Sequence, residues 1–118
     1  MPLPYKSVVF DYGGVLINPI TGPIATVAEQ LGVAPADLVH VLLGPMMEST
    51  PDHPWHRAER GEIPTASMQS LVGSWAEEKG FSLRGDEYDL IMTAQYTVRA
   101  SVVDGVRALR EKGYQTAL

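Results

Sequence analysis

The sequence predicts an α/β protein in which a parallel sheet is only begun and most of the chain is helical. Three observations carry this. A short run, "SVVF" from Ser7 to Phe10, is stopped by Asp11 and the pair Gly13-Gly14; it is β-branched and aromatic, and too brief for a helix. After it come about six segments with helical spacing and helix punctuation. Finally, "YQTAL" follows a glycine stop at Gly113 and reads as a second strand beginning.

Taken in order, Ser7 to Phe10 reads as a buried strand with Asp11 at its carboxyl end, and the glycine pair as the turn that follows. From Thr21 the pattern changes. "TGPIATVAEQLG" offers Thr21 as cap, Pro23 near the first helical position, apolar residues at helical spacing and Gly32 as a stop. "PADLVHVLLG" repeats this from Pro35 to Gly44. Beyond the Pro-rich loop "GPMMESTPDHP", a short helix is expected from Trp55 to Arg60, closed by Gly61, and a longer one over "TASMQSLVGSWAEEKG", Thr65 to Gly80. A fifth covers Asp86 to Tyr96 and a sixth covers "VVDGVRALREKG", Val102 to Gly113. No internal repeat, low-complexity tract or flexible linker interrupts the series. One strand and part of another make a poor sheet, because parallel sheets are normally larger and covered on both faces. The fold this pattern starts looks unfinished.

With 118 residues, 45% of them hydrophobic and 19% charged, one globular core is expected. The net charge of −5 is spread without a basic cluster, which argues against nucleic acid as a partner. The absence of cysteine excludes disulfide and thiolate chemistry and fits a reducing cytoplasm. "MPLPYKSVVF" lacks the basic and apolar regions of a signal peptide, and no window nears the roughly 18 apolar residues of a membrane span. A soluble cytoplasmic protein without membrane contact is the expectation.

Asp11 is the chemically suggestive residue. In open α/β sheets ligands bind in the crevice beyond the carboxyl ends of the strands, where this carboxylate falls. An ionised carboxylate attacks phosphorus to give an aspartyl-phosphate, or carbon to give an ester, splitting one displacement into two easier ones. Gly13 and Gly14 permit positive φ and let the backbone amides of Tyr12, Gly13 and Gly14 approach an anion closely. The plainer alternative is that Asp11 caps a turn, as Asp often does before Gly.

The stretch "VVFDYGGVL" resembles the first motif of the haloacid dehalogenase-like (HAD) hydrolases: an apolar strand, the nucleophilic Asp, a spacer, then Gly and Val or Thr. "HRAERGEIPTASM" is similar to the helical cap segment these proteins insert after the first strand, and "VVDGVRALREKGYQTAL" to the helix and strand that return the chain to the core. The resemblance thus covers essentially the whole chain, although only the first motif is chemically specific. It implies a HAD-like, Rossmann-type parallel sheet, incomplete here. Residues 1–16 would form the first core strand and nucleophile loop, 17–98 an inserted helical cap, and 99–118 the return helix and the start of the second core strand. It further implies a phosphatase acting on a small phosphorylated metabolite, with Asp11 as nucleophile and with Mg²⁺ held by Asp11 and the main-chain carbonyl of Gly13. Such an ion, bound through a carboxylate, a carbonyl, water and substrate phosphate, is in the usual style of Mg²⁺.

Two departures from the family pattern bear on function. Gly13 stands where most of its phosphatases carry a second Asp as general acid and base. The family's later motifs, a Ser or Thr ending the second strand, a Lys or Arg, and a pair of acids, are not in this sequence. The expectation is therefore an amino-terminal fragment or truncated frame that is inactive alone. A dehalogenase is the nearest chemical variant, and a non-catalytic module that binds or self-associates through its open sheet edge is the alternative. Other signals are weaker. His53 and His56 in "HPWH" read as surface histidines, and His40 as a packed or partly exposed side chain. Met46, Met47, Trp55, Trp75 and Tyr96 are candidates for a pocket lining, with helix packing preferred for Trp75. Asp86, Glu87 and Asp89 read as complements to a helix dipole.

Overall fold

The computed structural model describes residues 4–45, 52–94 and 96–118. It is mostly helical, with one small sheet. In chain order the elements are β1 (Ser7–Val9), α1 (Thr21–Leu31), α2 (Pro35–Leu43), α3 (Pro54–Glu59), a 3₁₀ turn (Thr65–Ser67), α4 (Met68–Glu78), α5 (Gly85–Ala94), α6 (Ala100–Glu111) and β2 (Gln115–Ala117). No helix among the described residues is long and apolar enough to cross a membrane. The chain divides into two units, Thr21–Thr93 and a second made of Met1–Ile20 with Ala94–Leu118.

The helical unit owns nearly all of the buried core. α1 buries Ile24, Val27 and Ala28, α2 buries Leu38, Val41 and Leu42, and α4 buries Met68, Val72 and Ala76. These spacings of three and four residues place each set on one helical face. α1 packs on α2, α4 on both α2 and α3, and Ile91 of α5 is fully buried. Pro35 and Pro54 open α2 and α3 at a position that needs no amide donor. The expected glycine stops are in place. The amide after Gly32 reaches Ala28, the one after Gly61 reaches Arg57, and the one after Gly80 reaches Ala76, the pattern that satisfies orphan carbonyls at a helix end.

In the other unit β1 and β2 are parallel, in the register Ser7↔Gln115, Val8↔Thr116 and Val9↔Ala117. Main-chain bonds from Gln115 N to Lys6 O (3.1 Å) and from Phe10 N to Ala117 O (2.8 Å) extend the ladder at both ends. α6 precedes β2 and packs on it. The turn between them needs Gly113: its φ of 88° is left-handed, and it lets Tyr114 N reach Leu109 O at 3.1 Å while the chain reverses.

One expectation fails here. β1 is not a buried strand: Ser7 and Val9 are exposed, Val9 by 75%, and Val8 is half-buried. A two-stranded sheet has no interior strand, and α6 itself buries no residue completely. Phe10, Leu16, Val103, Val106, Thr116, Ala117 and Leu118 instead line an open cleft of about 310 Å³, almost wholly apolar.

Candidate functional site

Asp11 follows the last ladder residue, Phe10, so the sheet delivers its carboxylate just beyond the strand's carboxyl end. The side chain is exposed, and Oδ1 accepts the amide of Tyr12 at 2.7 Å. The bond joins neighbouring residues, whereas an Asp that caps a turn accepts from the amide two residues on. The contact engages the Tyr12 amide, leaving it turned to Asp11 rather than to an incoming anion.

Beyond Asp11 the chain winds around one carbonyl. Tyr12 O accepts from Val15 N (3.2 Å), Leu16 N (3.0 Å) and Ile17 N (3.3 Å). The two glycines differ within this turn. Gly14 has φ 77°, whereas Gly13 lies outside the left-handed region, so the freedom of glycine is required at Gly14 alone. A Cβ placed on Gly13 would meet nothing within 4 Å. Gly13 is thus open to substitution, and its lack of a proton donor is a matter of side chain rather than of backbone need.

The turn is fastened by the returning chain. Ile17 bridges Val98 in antiparallel fashion, with Asn18 N on Thr97 O (2.9 Å) and Arg99 N on Leu16 O (2.8 Å). The Arg99 guanidinium adds a bond from Nη1 to Gly14 O at 3.0 Å. Ile17 is the one fully or nearly buried residue of this unit among those described, with 4% exposure. Sequence reasoning missed Arg99, although a signal existed. It is the residue that precedes α6, and a cation at a helix's amino end is poorly placed against the dipole. Its use on the Gly14 carbonyl accounts for the position.

Asp11 and the Gly13 carbonyl are hard oxygen donors of the kind Mg²⁺ accepts, but they are two of about six that the ion takes. Among the described residues no three His, Cys, Asp or Glu side chains gather to hold a metal. These two groups do not hold the ion by themselves.

The remaining candidates lie elsewhere in the chain. Met46 and Met47 fall outside the described residues. Tyr96 is 56% exposed, Trp55 is half-buried, and Trp75 packs against the rings of His53 (4.5 Å between centroids) and His40 (6.0 Å). His40 is half-buried, as a packed side chain should be. His53 corrects the reading of the "HPWH" histidines as a surface pair, because its exposure is 0%. The residue before a proline is held extended, and this lets the imidazole fold over the start of α3, where Nδ1 accepts Trp55 N at 3.1 Å. Burial holds the His53 ring below its ordinary value. Asp86 and Glu87 sit in the first turn of α5, and Arg84 grips both: Nη2 lies 2.9 Å from Asp86 Oδ2, and the Arg84 amide donates to Glu87 Oε2 at 2.8 Å. The guanidinium's hydrogen bonds draw the Asp86 carboxyl below its usual range. Compared with known proteins, the chain matches no family model, no curated protein and no solved structure.

Proposed function

We propose that this chain carries the nucleophile strand and helical cap of a HAD-like phosphohydrolase, with Asp11 as the attacking group. The observation that supports the reading best is the position of Asp11. It is an exposed carboxylate one residue past the end of a parallel β-ladder, followed by a turn whose φ-positive glycine is Gly14. In the first half-reaction a carboxylate oxygen of Asp11 forms a bond to the phosphorus of a small phosphate ester while the ester's P–O bond breaks. Water then attacks the aspartyl-phosphate, releasing inorganic phosphate and restoring the carboxylate. Gly13 has no proton to give, so in the first step the leaving oxygen departs with whatever stability it has of its own.

Asp11 and the Gly13 carbonyl would be this chain's share of the ligands for Mg²⁺, which in a complete site would offset charge between carboxylate and substrate phosphate. The parallel register sets Ala117 opposite Val9, so a residue after Leu118 continuing β2 would stand beside Asp11. A Ser or Thr there, followed later by a Lys and an acidic pair, would complete the constellation. The absence of cysteine accords with a cytoplasmic setting and the scattered negative charge with a small-molecule substrate rather than nucleic acid.

A non-catalytic reading has its own support. Among the described residues the sheet has only two strands and thus two open edges, Val9 and Leu118 are more than 70% exposed, and α6 buries no residue. Such a surface suits association of two copies through strand edges. The deciding experiment reads the coding sequence on from codon 118 and assays any extended chain with aryl phosphates and Mg²⁺. Turnover lost in Asp11→Asn sustains the enzymatic reading, and turnover without metal on haloacids would point to the dehalogenase variant. A stop codon, with sedimentation showing dimers, would transfer the case to the associating module.

A further inference from the structure

The chain has three histidines, all in the helical unit: His40 and His53 lie against Trp75, and His56 lies against His53. His53 is at the centre, fully buried. Its Nδ1 accepts the Trp55 amide at 3.1 Å, capping α3, so the ring's proton is on Nε2, which donates to Val41 O in α2 at 3.0 Å. One neutral imidazole therefore ties the start of α3 to α2, with both nitrogens used. We propose that His53 is a proton-operated fastening of the helical unit: neutral, it joins α3 to α2, and protonated, it releases α3.

The geometry leaves no place for a second ring proton. On Nδ1 it would point at the Trp55 N–H, turning the capping acceptor into a donor that faces a donor. Among the described residues no carboxylate pairs with this ring, so the charge it brings would be buried with no counter-ion among them. The groups facing the ring make this worse. From α2 comes His40, from α3 comes His56, and from α4 comes the uncharged Trp75. Glu59 lies 3.6 Å from His56 Nδ1 and serves that ring. The other carboxylates of these segments, Asp37, Asp52, Glu77 and Glu78, are exposed, and Arg57 faces Glu62. Burial first, then the neighbouring His56 and His40, hold His53 below its free value, against a raising effect from Val41 O. The unfolded chain therefore takes up the proton before the folded one. Stability from this group is complete above about pH 6.5 and is lost as pH falls toward the folded ring's own value.

The test follows tryptophan fluorescence and near-ultraviolet circular dichroism of the full chain from about pH 7.5 to about pH 5, a window in which unperturbed histidines titrate and unperturbed side-chain carboxyls remain largely ionised. Held in urea near its denaturation midpoint, where a change of this size is visible, wild type should lose native signal as pH falls below about 6.5, the folding equilibrium falling by up to about tenfold per pH unit. His53→Asn keeps an oxygen suited to capping α3 and has nothing to titrate, so its signal should be flat. The double variant His40→Gln/His56→Gln should retain the acid response. A flat wild type, an acid response that persists in His53→Asn, or one that vanishes in the double variant would each overturn the proposal. If His53→Asn fails to fold, nitrogen NMR of the wild-type rings decides. A neutral, Nε2-protonated His53 that stays so below about pH 6.5 until the helices loosen supports the fastening, and one that titrates at or above that value in the folded chain refutes it.

Discussion

Replacing Gly13 and Gly14 by alanine, one at a time, tests the geometry of the Asp11 turn. Gly14 holds φ 77°, where an L-residue costs about 1–2 kcal/mol. The new Cβ would lie 3.7 Å from Pro19 Cβ, an ordinary contact that adds nothing further. Gly13 is outside the left-handed region and its Cβ would meet nothing within 4 Å. Alanine there removes freedom from the unfolded chain and should stabilise by about 0.4–1 kcal/mol. The two neighbouring variants should thus differ by about 1.5–3 kcal/mol in the local stability of the turn. Both tryptophans lie in the helical unit, so fluorescence would not read this. Amide hydrogen exchange does, at Asn18 N, bonded to Thr97 O, and Arg99 N, bonded to Leu16 O. Those amides should exchange roughly 10- to 100-fold faster in Gly14→Ala than in Gly13→Ala. Equal rates, or faster exchange in Gly13→Ala, would mean that the positive φ has been assigned to the wrong glycine.

Three further outcomes follow from the same residues. Leu38→Ala empties a fully buried position between helices and should destabilise the helical unit by about 2–5 kcal/mol, read as a lower denaturation midpoint by tryptophan fluorescence; a change within a few tenths would mean that the site collapses or is not core. The 118-residue chain alone should show no Mg²⁺-dependent phosphatase turnover, and activity abolished by Asp11→Asn would reveal that a second chain or an unsuspected group completes the site. In an extended, active chain, rates should fall steeply as the leaving group's pKa rises, since a positioned general acid worth about 10²–10⁴ is missing; Gly13→Asp, for which the turn has room, should flatten that slope, and an unchanged slope would assign the proton to another residue.

The helices were readable because their signals are local. Pro35, Pro54, Gly32, Gly80 and Gly113 act on the backbone within one turn of themselves, and the observed ends fall at or beside them. What the sequence could not convey depends on neighbours distant along the chain. The β-branched run Ser7–Val9 looks interior by composition, yet its burial depends on how many strands and helices cover it, and here Val9 is exposed. His53 looked like a surface residue because its spacing from His56 suits no metal; its burial comes from Val41, twelve residues earlier, and Trp75. Arg99 is a similar case, since its partner Gly14 lies 85 positions away. The placement of Asp11 just past a strand end was legible, because a β-branched run stopped by an acid and two glycines is a local pattern. The role division between Gly13 and Gly14 was not, because composition treats them alike.

The antiparallel clasp of Leu16–Asn18 on Thr97–Arg99 bears on how such a chain changes over generations. Asn18 and Thr97 are a hydrogen bond apart, so the segment between them leaves and rejoins its host at one doorway. A chain that exits and re-enters at adjacent points is topologically a parenthesis. Its length and contents are free to vary while the host strand keeps its register, since closing a longer excursion adds only logarithmically to the entropy already lost. An insertion between those two residues therefore lengthens the excursion without moving the two ends of the clasp, which stay a hydrogen bond apart.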